Sequence, residues 1–276
     1  MTVSIVILTL NEEVNLSDCL DSVKWCDDMV VFDSYSTDRT VEIAKTAGAK
    51  VVQRRFDNYA AQRNASLNEV SYKHDWILML DADERVSPEL QIEIENKFCG
   101  VDDETSLLRV RRKDMFMGRW LRRSSGYPTW FGRLIRKGRV RVLREINEEY
   151  HTDGHVGYLQ EHLIHYPFNK GIDHWFERHN RYSSMEAALL AGESRHRFNA
   201  RELLSNDPAI RRRSMKQLAY KLPGRPLAVF FYLYFFRLGF LDGRPGLTYS
   251  YLRFIYEKMI DLKLQENSQR QKGLPF

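Results

Sequence analysis

The sequence predicts an α/β protein that begins with a mainly parallel β-sheet and ends in a helical region. Over the first hundred of its 276 residues, β-branched apolar runs alternate with stretches of helical spacing. This alternation is typical of βαβ units and of a parallel sheet. From about residue 105 to 165 the runs are shorter and are separated by glycines, as in hairpins. From residue 170 onward the pattern is helical.

The first hundred residues contain four predicted strands and four predicted helices. The strands cover residues 3–8, 29–32, 51–52 and 76–80, and the helices cover 12–25, 38–47, 59–70 and 88–98. Gly48 follows the second helix, and a glycine at this position favours the end of a helix. Pro88 lies in the first turn of the fourth helix, where proline is well tolerated. Such short buried runs joined by helices predict right-handed crossovers.

The second half changes from short strands to helices. Strands are predicted over residues 107–111, 130–136, 140–143 and 156–165, and helices over 171–190, 208–222, 227–238 and 248–264. The tail, 265–276, is polar and is predicted to be loose. The change of pattern divides the chain into residues 1–168, with halves 1–100 and 101–168, and a helical region, 169–276.

The charge is concentrated in one stretch. The chain carries a net charge of +5, and residues 195–225 contain nine lysines or arginines against two acids. Ten apolar or aromatic residues follow at 227–236, too few for a bilayer span of about 20 residues. A basic stretch beside an aromatic one suits a segment lying on a membrane surface. The alternative is a buried core helix beside a solvated basic face.

Several classes of protein are disfavoured by motifs that the sequence lacks. No RNP-like, zinc-finger or helix-turn-helix pattern accompanies the basic stretch, which argues against a nucleic-acid partner. No GxGxxG or GxxxxGK[ST] follows a strand, which disfavours a nicotinamide enzyme and a P-loop NTPase. The three cysteines form no CxxC pair, which fits a reducing compartment. The start of the chain has no basic n-region, so we expect a cytoplasmic location.

Polar clusters follow three of the predicted strands. They begin at Thr9, Asp33 and Asp81. In a parallel sheet the carboxyl ends of the strands share one edge, where ligands bind. Asp81 and Asp83 have the spacing that directs two carboxylates to one side of an extended chain, which suits Mg²⁺ or Mn²⁺. The alternative is that these acids cap the helix that follows.

The second cluster, around Asp33, admits two interpretations. A carboxylate at a strand end can accept hydrogen bonds from a base N–H or a ribose hydroxyl. The same residue can also cap a turn between a strand and a helix.

Together these motifs resemble the family 2 glycosyltransferases and their GT-A nucleotide-sugar fold. The motifs that carry the resemblance are 9–13 (TLNEE), 33–38 (DSYSTD), 62–64 (QRN) and 81–84 (DADE) after the strand 76–80. A looser match resembles the bacterial subgroup that builds lipopolysaccharide cores, including the core β-1,4-glucosyltransferase type. It comprises 118–119 (GR), 133–136 (RLIR), 146–148 (INE) and 165–166 (HY). That subgroup usually has Val-His-Glu where this chain has Ile-Asn-Glu, followed by Glu149.

The resemblance implies a role for each matching residue. The residues implied in donor binding are Thr9, Asn11, Glu12, Asp33, Arg63 and Asp81. The implied metal ligands are Asp83, Asp81 and His165. The implied general base is Glu148, with Glu149 as the second candidate, and Arg119 and Arg133 are implied in acceptor binding. Each role has an alternative. His165 could be a core histidine, Glu148 an exposed loop acid, and the two arginines part of a solvated basic face.

The implied function is that of an inverting, Mg²⁺- or Mn²⁺-dependent glycosyltransferase. It would move a hexose from a nucleotide sugar, most simply a UDP-sugar, to a lipid-linked glycan such as a lipopolysaccharide core or exopolysaccharide precursor. In this interpretation residues 1–100 bind the donor, 101–168 the acceptor, and 169–276 associate with the inner face of the cell membrane. Two further enzymes are open alternatives, a polyprenyl-phosphate sugar synthase and a nucleotidyltransferase, as is a non-enzymatic glycan- or lipid-binding module. A homo-oligomer is compatible with the sequence.

Overall fold

The structure is a computed structural model that describes residues 3–97, 102–143, 149–193 and 224–275. It divides into two compact units. The first comprises Met1–Phe116 and Tyr127–Asn169, and the second comprises Met117–Gly126 and Lys170–Phe276. The segment 117–126, which is expected in the first domain, belongs to the helical unit. The predicted helix 208–222 and most of the basic stretch lie outside the described residues.

The first unit is built on one large sheet and a small hairpin. Its strands are β1 (Ser4–Thr9), β2 (Met29–Asp33), β3 (Lys50–Gln53), β4 (Trp76–Asp81), β5 (Glu84–Val86), β6 (Thr105–Phe116), β8 (Trp130–Arg136), β9 (Arg141–Leu143), β10 (Glu149–His151) and β11 (His155–His165). In the large sheet the order is β3-β2-β1-β4-β8-β6-β11-β5, while β9 and β10 form an antiparallel pair. The short strand β7 (Arg119–Trp120) belongs to the second unit.

Strands β3, β2, β1 and β4 are parallel, as the alternation of strands and helices predicts. Strand β8 is antiparallel to its neighbours β4 and β6, and β5 is antiparallel to β11. Strands β6 and β11 are parallel to each other. β1 and β4 lie at the centre of the parallel part and are buried on both faces. Alternate residues such as Ile5 and Val6 therefore face two separate cores, which explains why these strands are continuously apolar.

Four helices join the strands of the first unit: α1 (Leu16–Asp21), α2 (Thr40–Thr46), α3 (Tyr59–Asn68) and α4 (Pro88–Lys97). α1 is shorter than the predicted helix 12–25, because residues 10–15 form a loop after β1 and residues 22–25 form turns. The Asn58 side chain caps α3 by accepting a hydrogen bond from the Ala61 amide at 2.8 Å. This cap fixes the start of the helix that carries Arg63.

The second unit is helical. It contains α5 (Gly171–Glu193), α6 (Arg225–Phe231) and α7 (Arg244–Gln271), and both α5 and α6 pack against α7. α6 continues into a π-helical turn, Tyr232–Phe236, and a 3₁₀ turn, Gly239–Asp242. The prediction of a loose tail over residues 265–276 is wrong for residues 265–271, because α7 extends to Gln271. Among the described helices none is both long and apolar enough to cross a membrane.

Two polar side chains hold the second unit together internally. Arg225 is buried and forms ion pairs with Glu257 and with Asp261, the latter at 2.6 Å. Asp242 is also buried, and its carboxylate accepts hydrogen bonds from the Ser124 amide and hydroxyl, both at 2.8 Å. These bonds tie the segment 117–126 to the turn before α7. Gly246 contacts the Gly239 carbonyl so closely that a side chain there would clash with it.

Candidate active site

The three polar clusters lie at one edge of the sheet, as the sequence predicts. Thr9 and Asp33 are directly paired across β1 and β2, and Leu8 and Asp81 are paired across β1 and β4. These positions are the carboxyl ends of adjacent parallel strands. The residues that follow them therefore surround a common edge, the position where α/β sheets bind ligands.

Asp33 is a fully buried acid whose carboxylate is well supplied with donors. It accepts hydrogen bonds from the Thr9 hydroxyl, the Ser36 amide and the Gln53 side chain, each at 2.9 Å, and from the Ser36 hydroxyl. The bonds link the ends of β1, β2 and β3. The structure thus gives Asp33 the turn-forming contacts of the alternative interpretation, and its contact with a donor base stays a prediction.

Asn11 and Glu12 lie in the loop after β1 and connect it to the loop after β2. Asn11 adopts a positive φ of 54°, its amide donates to the Ser36 hydroxyl at 2.8 Å, and its side-chain oxygen accepts from the Thr37 amide at 2.8 Å. The Glu12 amide donates to the Thr40 hydroxyl at 2.7 Å. Asn tolerates this backbone conformation better than most residues. The two loops are therefore held as one surface.

Asp81, the first acid after β4, is held between two arginines. Its Oδ1 accepts from Arg63 at 2.8 Å and its Oδ2 accepts from Arg133 at 2.6 Å. Arg133 is 2% exposed and also pairs with the fully buried Glu84 at 2.8 Å. Burial by itself raises the pKa of the Asp81 carboxyl, but the Arg133 and Arg63 guanidiniums outweigh burial and hold that pKa well below its usual range.

Asp83, the second acid, lies beside His165 instead. The Asp83 Oδ2 and His165 Nε2 atoms are 3.3 Å apart, and His165 Nδ1 lies 2.7 Å from Asp114 Oδ1. The Tyr166 amide donates to the Asp83 carbonyl at 2.9 Å, which joins the end of β11 to this loop. Burial opposes charge on each side chain. Coulombic attraction between Asp83 and His165 nevertheless lowers the pKa of Asp83 and raises that of His165.

The Asp83 side chain has one oxygen to offer a cation. Its Oδ1 atom is buried and has no hydrogen-bond partner among the described residues. An unpaired buried carboxylate oxygen is costly, and a cation would satisfy it. A carboxylate and an imidazole are ligands that Mn²⁺ accepts, and the carboxylate also suits Mg²⁺. Asp83 and His165 therefore fit a divalent metal.

Asp81 is the predicted ligand that the structure places differently. Both of its oxygens are occupied by arginines, and among the described residues its carboxylate does not converge on one point with Asp83 and His165. Three potential ligands do converge elsewhere, at Asp102, Glu104 and His155, but all three are exposed. Both His155 ring nitrogens there face carboxylates, with Nδ1 2.9 Å from Asp102 and Nε2 3.3 Å from Glu104.

The remaining predicted residues are spread over the two units. Glu148 lies outside the described residues, and Glu149 is exposed at the start of β10. Arg133 belongs to the first unit, where it is buried beside Asp81, whereas Arg119 is exposed and belongs to the second. The basic acceptor surface thus stays a prediction. In the structure Arg133 forms ion pairs with two acids, the half-buried Asp81 and the fully buried Glu84.

Comparison with known proteins identifies the family. The model of the family described as "Glycosyl transferase family 2" matches residues 4–166, more than half of the chain. The chain belongs to glycosyl transferase family 2. The predicted enzyme class, a glycosyltransferase, is thereby confirmed. The predicted α/β fold class of the GT-A type, with a mainly parallel central sheet and a helical C-terminal region, also agrees with the architecture described above.

Individual glycosyltransferases are similar to the chain over most of its length. A Rickettsia typhi protein described as an uncharacterized glycosyltransferase is 28% identical over 96% of this chain and 89% of its own. The lipopolysaccharide core biosynthesis glycosyltransferase LpsC of Rhizobium meliloti is 27% identical over 91% of this chain and 90% of its own.

One solved structure among those similar to this glycosyltransferase is that of glucosyl-3-phosphoglycerate synthase from Mycobacterium tuberculosis, in complex with Mn²⁺, UDP and glucosyl-3-phosphoglycerate. The identity is 24% and the TM-score 0.34. The match covers 41% of this chain and 44% of the synthase, so the chain spans less than half of that structure.

Three residues at the site of this glycosyltransferase have no role that the sequence predicts: Glu84, Arg112 and Asp114. Arg112 donates from Nε to Asp114 at 3.1 Å, and its Nη1 lies 3.6 Å from Glu84. The predicted strand 107–111 ended before this part of β6. Charged side chains two residues apart, as at Arg112 and Asp114, are the signal that could have revealed them, because they share one face of a strand.

Proposed function

We propose that this glycosyltransferase moves a hexose from a UDP-sugar to a lipid-linked glycan, with inversion and with the help of Mg²⁺ or Mn²⁺. The observation that carries the metal dependence is the buried, unpartnered Oδ1 of Asp83 next to His165 at the carboxyl end of β4. When bound there, the metal would neutralise negative charge on the departing nucleoside diphosphate.

The charged side chains around that position would have two different roles. Asp83 and His165 would hold the metal, while Arg63 and Arg133 keep Asp81 ionised and fixed. Arg63 is also a buried guanidinium at this edge of the sheet, where a preorganised positive charge favours a diphosphate leaving group. Asp33, held by its four hydrogen bonds, would contact the base of the donor.

The acceptor hydroxyl needs a base within hydrogen-bond reach. Glu148 is the first candidate and Glu149 the second, as the family resemblance implies. Attack from the face opposite the leaving diphosphate inverts the anomeric carbon in one displacement, so no protein nucleophile is required. The buried Cys19 has its thiol pKa raised by burial, which makes it a poor nucleophile.

The acceptor class is proposed from similarity and from an exposed apolar surface. LpsC, the similar Rhizobium protein, is described as acting in lipopolysaccharide core biosynthesis. The segment 227–241, here called the aromatic segment, contains eight large hydrophobic side chains that are exposed. They are Leu227, Phe231, Tyr232, Phe235, Phe236, Leu238, Phe240 and Leu241. A surface of this kind suits the interface of a bilayer, where a lipid-linked glycan is anchored.

We therefore place the enzyme at the inner face of the cell membrane, as a peripheral protein. Phe236 is 82% exposed, which argues against the alternative of a buried core helix. Arg237 lies within this segment and Arg244 follows it in the chain. Cations near such a surface favour anionic lipids.

The test of the proposed function is donor binding and transfer by the variant Asp83→Ala. Wild-type protein should gain thermal stability from Mn²⁺ together with one UDP-sugar of a panel, because a ligand that binds only the folded state stabilises it. D83A should lose that gain and at least about 100-fold in transfer rate, as should wild type treated with EDTA.

The control for D83A is Asp102→Ala, which removes an exposed acid from the convergent group at Asp102, Glu104 and His155. D102A should keep both the stabilisation and the activity. Full transfer by D83A with donor and acceptor supplied would overturn the metal site at this position.

A further inference from the structure

Asp114 is a largely buried acid to which the proposed chemistry gives no role. It contacts His165 at Nδ1, the ring nitrogen that does not face Asp83. The two residues are paired across the parallel strands β6 and β11, and His165 is also paired with Glu84 across β11 and β5. Only 18% of the Asp114 side chain and 10% of the His165 side chain are exposed. The imidazole is thus enclosed between strands whose register fixes which acids it meets.

The two ring nitrogens of His165 face different carboxylates. Nδ1 lies 2.7 Å from Asp114 Oδ1, and Nε2 lies 3.3 Å from Asp83 Oδ2. A carboxylate oxygen that already accepts from Arg112 Nε, as Asp114 Oδ1 does at 3.1 Å, can only accept from the imidazole as well. Nδ1 must therefore carry the proton in this contact. Nε2 is the other ring nitrogen, and it faces Asp83.

Asp114 is itself held in place. Besides its bond to Asp114, the Arg112 guanidinium lies 3.6 Å from the fully buried Glu84 and stacks over the Phe131 ring at 4.1 Å from the ring centroid. A planar guanidinium that contacts two carboxylates and an aromatic ring has little conformational freedom. The orientation of Asp114, and through it that of His165, is thus set by contacts on three strands.

We propose that Asp114 is a positioning residue for the metal site. It holds His165 with Nδ1 protonated, so that Nε2 and the free oxygen of Asp83 are presented to one divalent cation. This inference rests on the proposed function, since it assumes that Asp83 and His165 bind the metal. A carboxylate behind a metal-binding histidine fixes the tautomer and the ring orientation, and losing such a partner weakens metal binding about 10- to 100-fold.

The experiment measures the affinity of Mn²⁺ in the presence of UDP, by electron paramagnetic resonance of the free ion. Asp114→Ala should weaken Mn²⁺ binding at least about tenfold, and Asp114→Asn, which keeps an acceptor oxygen, should recover part of it. In the His165→Ala background, Asp114→Ala should cause no further loss, because the residue acts through the imidazole.

A matched control is Asp102→Ala, since Asp102 pairs with His155 at 2.9 Å in the same way but on the exposed surface. D102A should leave the Mn²⁺ affinity unchanged. An affinity of D114A within twofold of wild type, or an equal loss in both backgrounds, would overturn the positioning role. Failure of wild type to bind Mn²⁺ with UDP would instead overturn the proposed metal site, and the inference with it.

A measurement on wild type covers the case in which D114A does not fold. Nitrogen-15 spectra of the protein loaded with Mg²⁺ and UDP report which imidazole nitrogen of His165 is protonated. Protonated Nδ1 and unprotonated Nε2 are expected. A proton on Nε2 alone would contradict the proposal.

Discussion

Asp81 and Asp83 belong to one short motif, yet the structure gives them opposite surroundings. Asp81 ends β4 and meets Arg63 and Arg133, so both of its oxygens are neutralised. Asp83 lies two residues further, meets His165 and keeps one buried oxygen without a partner among the described residues. Neighbouring charges, and not residue type, decide what each carboxylate can bind. In the proposed metal site, the acid that can bind the cation is therefore Asp83.

At the same scale, the identity of the general base can be tested by Glu148→Gln and Glu149→Gln. The variant that removes the base should lower turnover about 100-fold or more, because a positioned base contributes that much, while donor affinity stays within twofold. Turnover and calorimetric binding of the donor separate the two effects.

The other Gln substitution serves as the internal control for the first. If E148Q, E149Q and the double variant all keep wild-type turnover, the acceptor needs no base. That outcome would favour the alternative of a polyprenyl-phosphate sugar synthase, whose acceptor is already an anion.

At the scale of the element, α5 contains a histidine that the helical unit holds in its neutral form. His179 stacks on Trp175 with ring centroids 3.7 Å apart, and its Nδ1 lies 2.8 Å from the Trp175 carbonyl oxygen. The Tyr256 ring of α7 contacts it edge-on. Burial lowers the pKa of His179 to about 4, because an enclosed imidazolium loses its hydration. Protonation of His179 therefore opposes folding.

This shift predicts that the protein is destabilised by mild acid. The unfolded chain binds the proton near its ordinary pKa of about 6.5, and the folded chain binds it only near about 4. Stability is therefore lost as the pH falls through this window, by up to about 3 kcal/mol. Urea unfolding at pH 7 and pH 4.5 should show a smaller loss for His179→Phe than for wild type.

His151→Phe provides the control, because His151 is an exposed histidine of the first unit. It should lose stability with acid as wild type does. An H179F variant with the same acid dependence as wild type would show that His179 is not the group responsible.

At the scale of the whole molecule, the aromatic segment is an apolar surface that is exposed and not packed into a core. Phe235 and Phe236 are 49% and 82% exposed, although they are among the most apolar residues of the chain. We expect the full-length protein to bind vesicles that contain phosphatidylglycerol, and to bind them less at high salt. Phe235→Ser with Phe236→Ser should weaken this binding at least about tenfold.

A matched pair of substitutions is Ile92→Ser with Leu189→Ser, which removes exposed apolar side chains elsewhere. This variant should bind vesicles as wild type does. Wild type that does not sediment with vesicles would contradict the membrane proposal. So would a dimer in solution that dissociates in the Phe235 and Phe236 variant, since the segment would then join two copies of the chain.

The sequence was most informative where local pattern alone decides the structure. The apolar runs at β1, β2 and β4 are continuous because both faces of these strands are buried, so their positions could be predicted to within a residue or so. The end of α7 could not be predicted. A polar helix such as residues 265–271 shows no apolar periodicity of the kind from which a helix is predicted.

By itself, the sequence determined the α/β class, the family and the edge of the sheet where the polar clusters meet. Those properties follow from runs of neighbouring residues. Only the tertiary structure decided that Arg133 pairs with Asp81 and Glu84, and that Asp114 stands behind His165. These pairs are 49 to 52 residues apart in the chain. Strand register brings them together, and register depends on how the whole sheet packs.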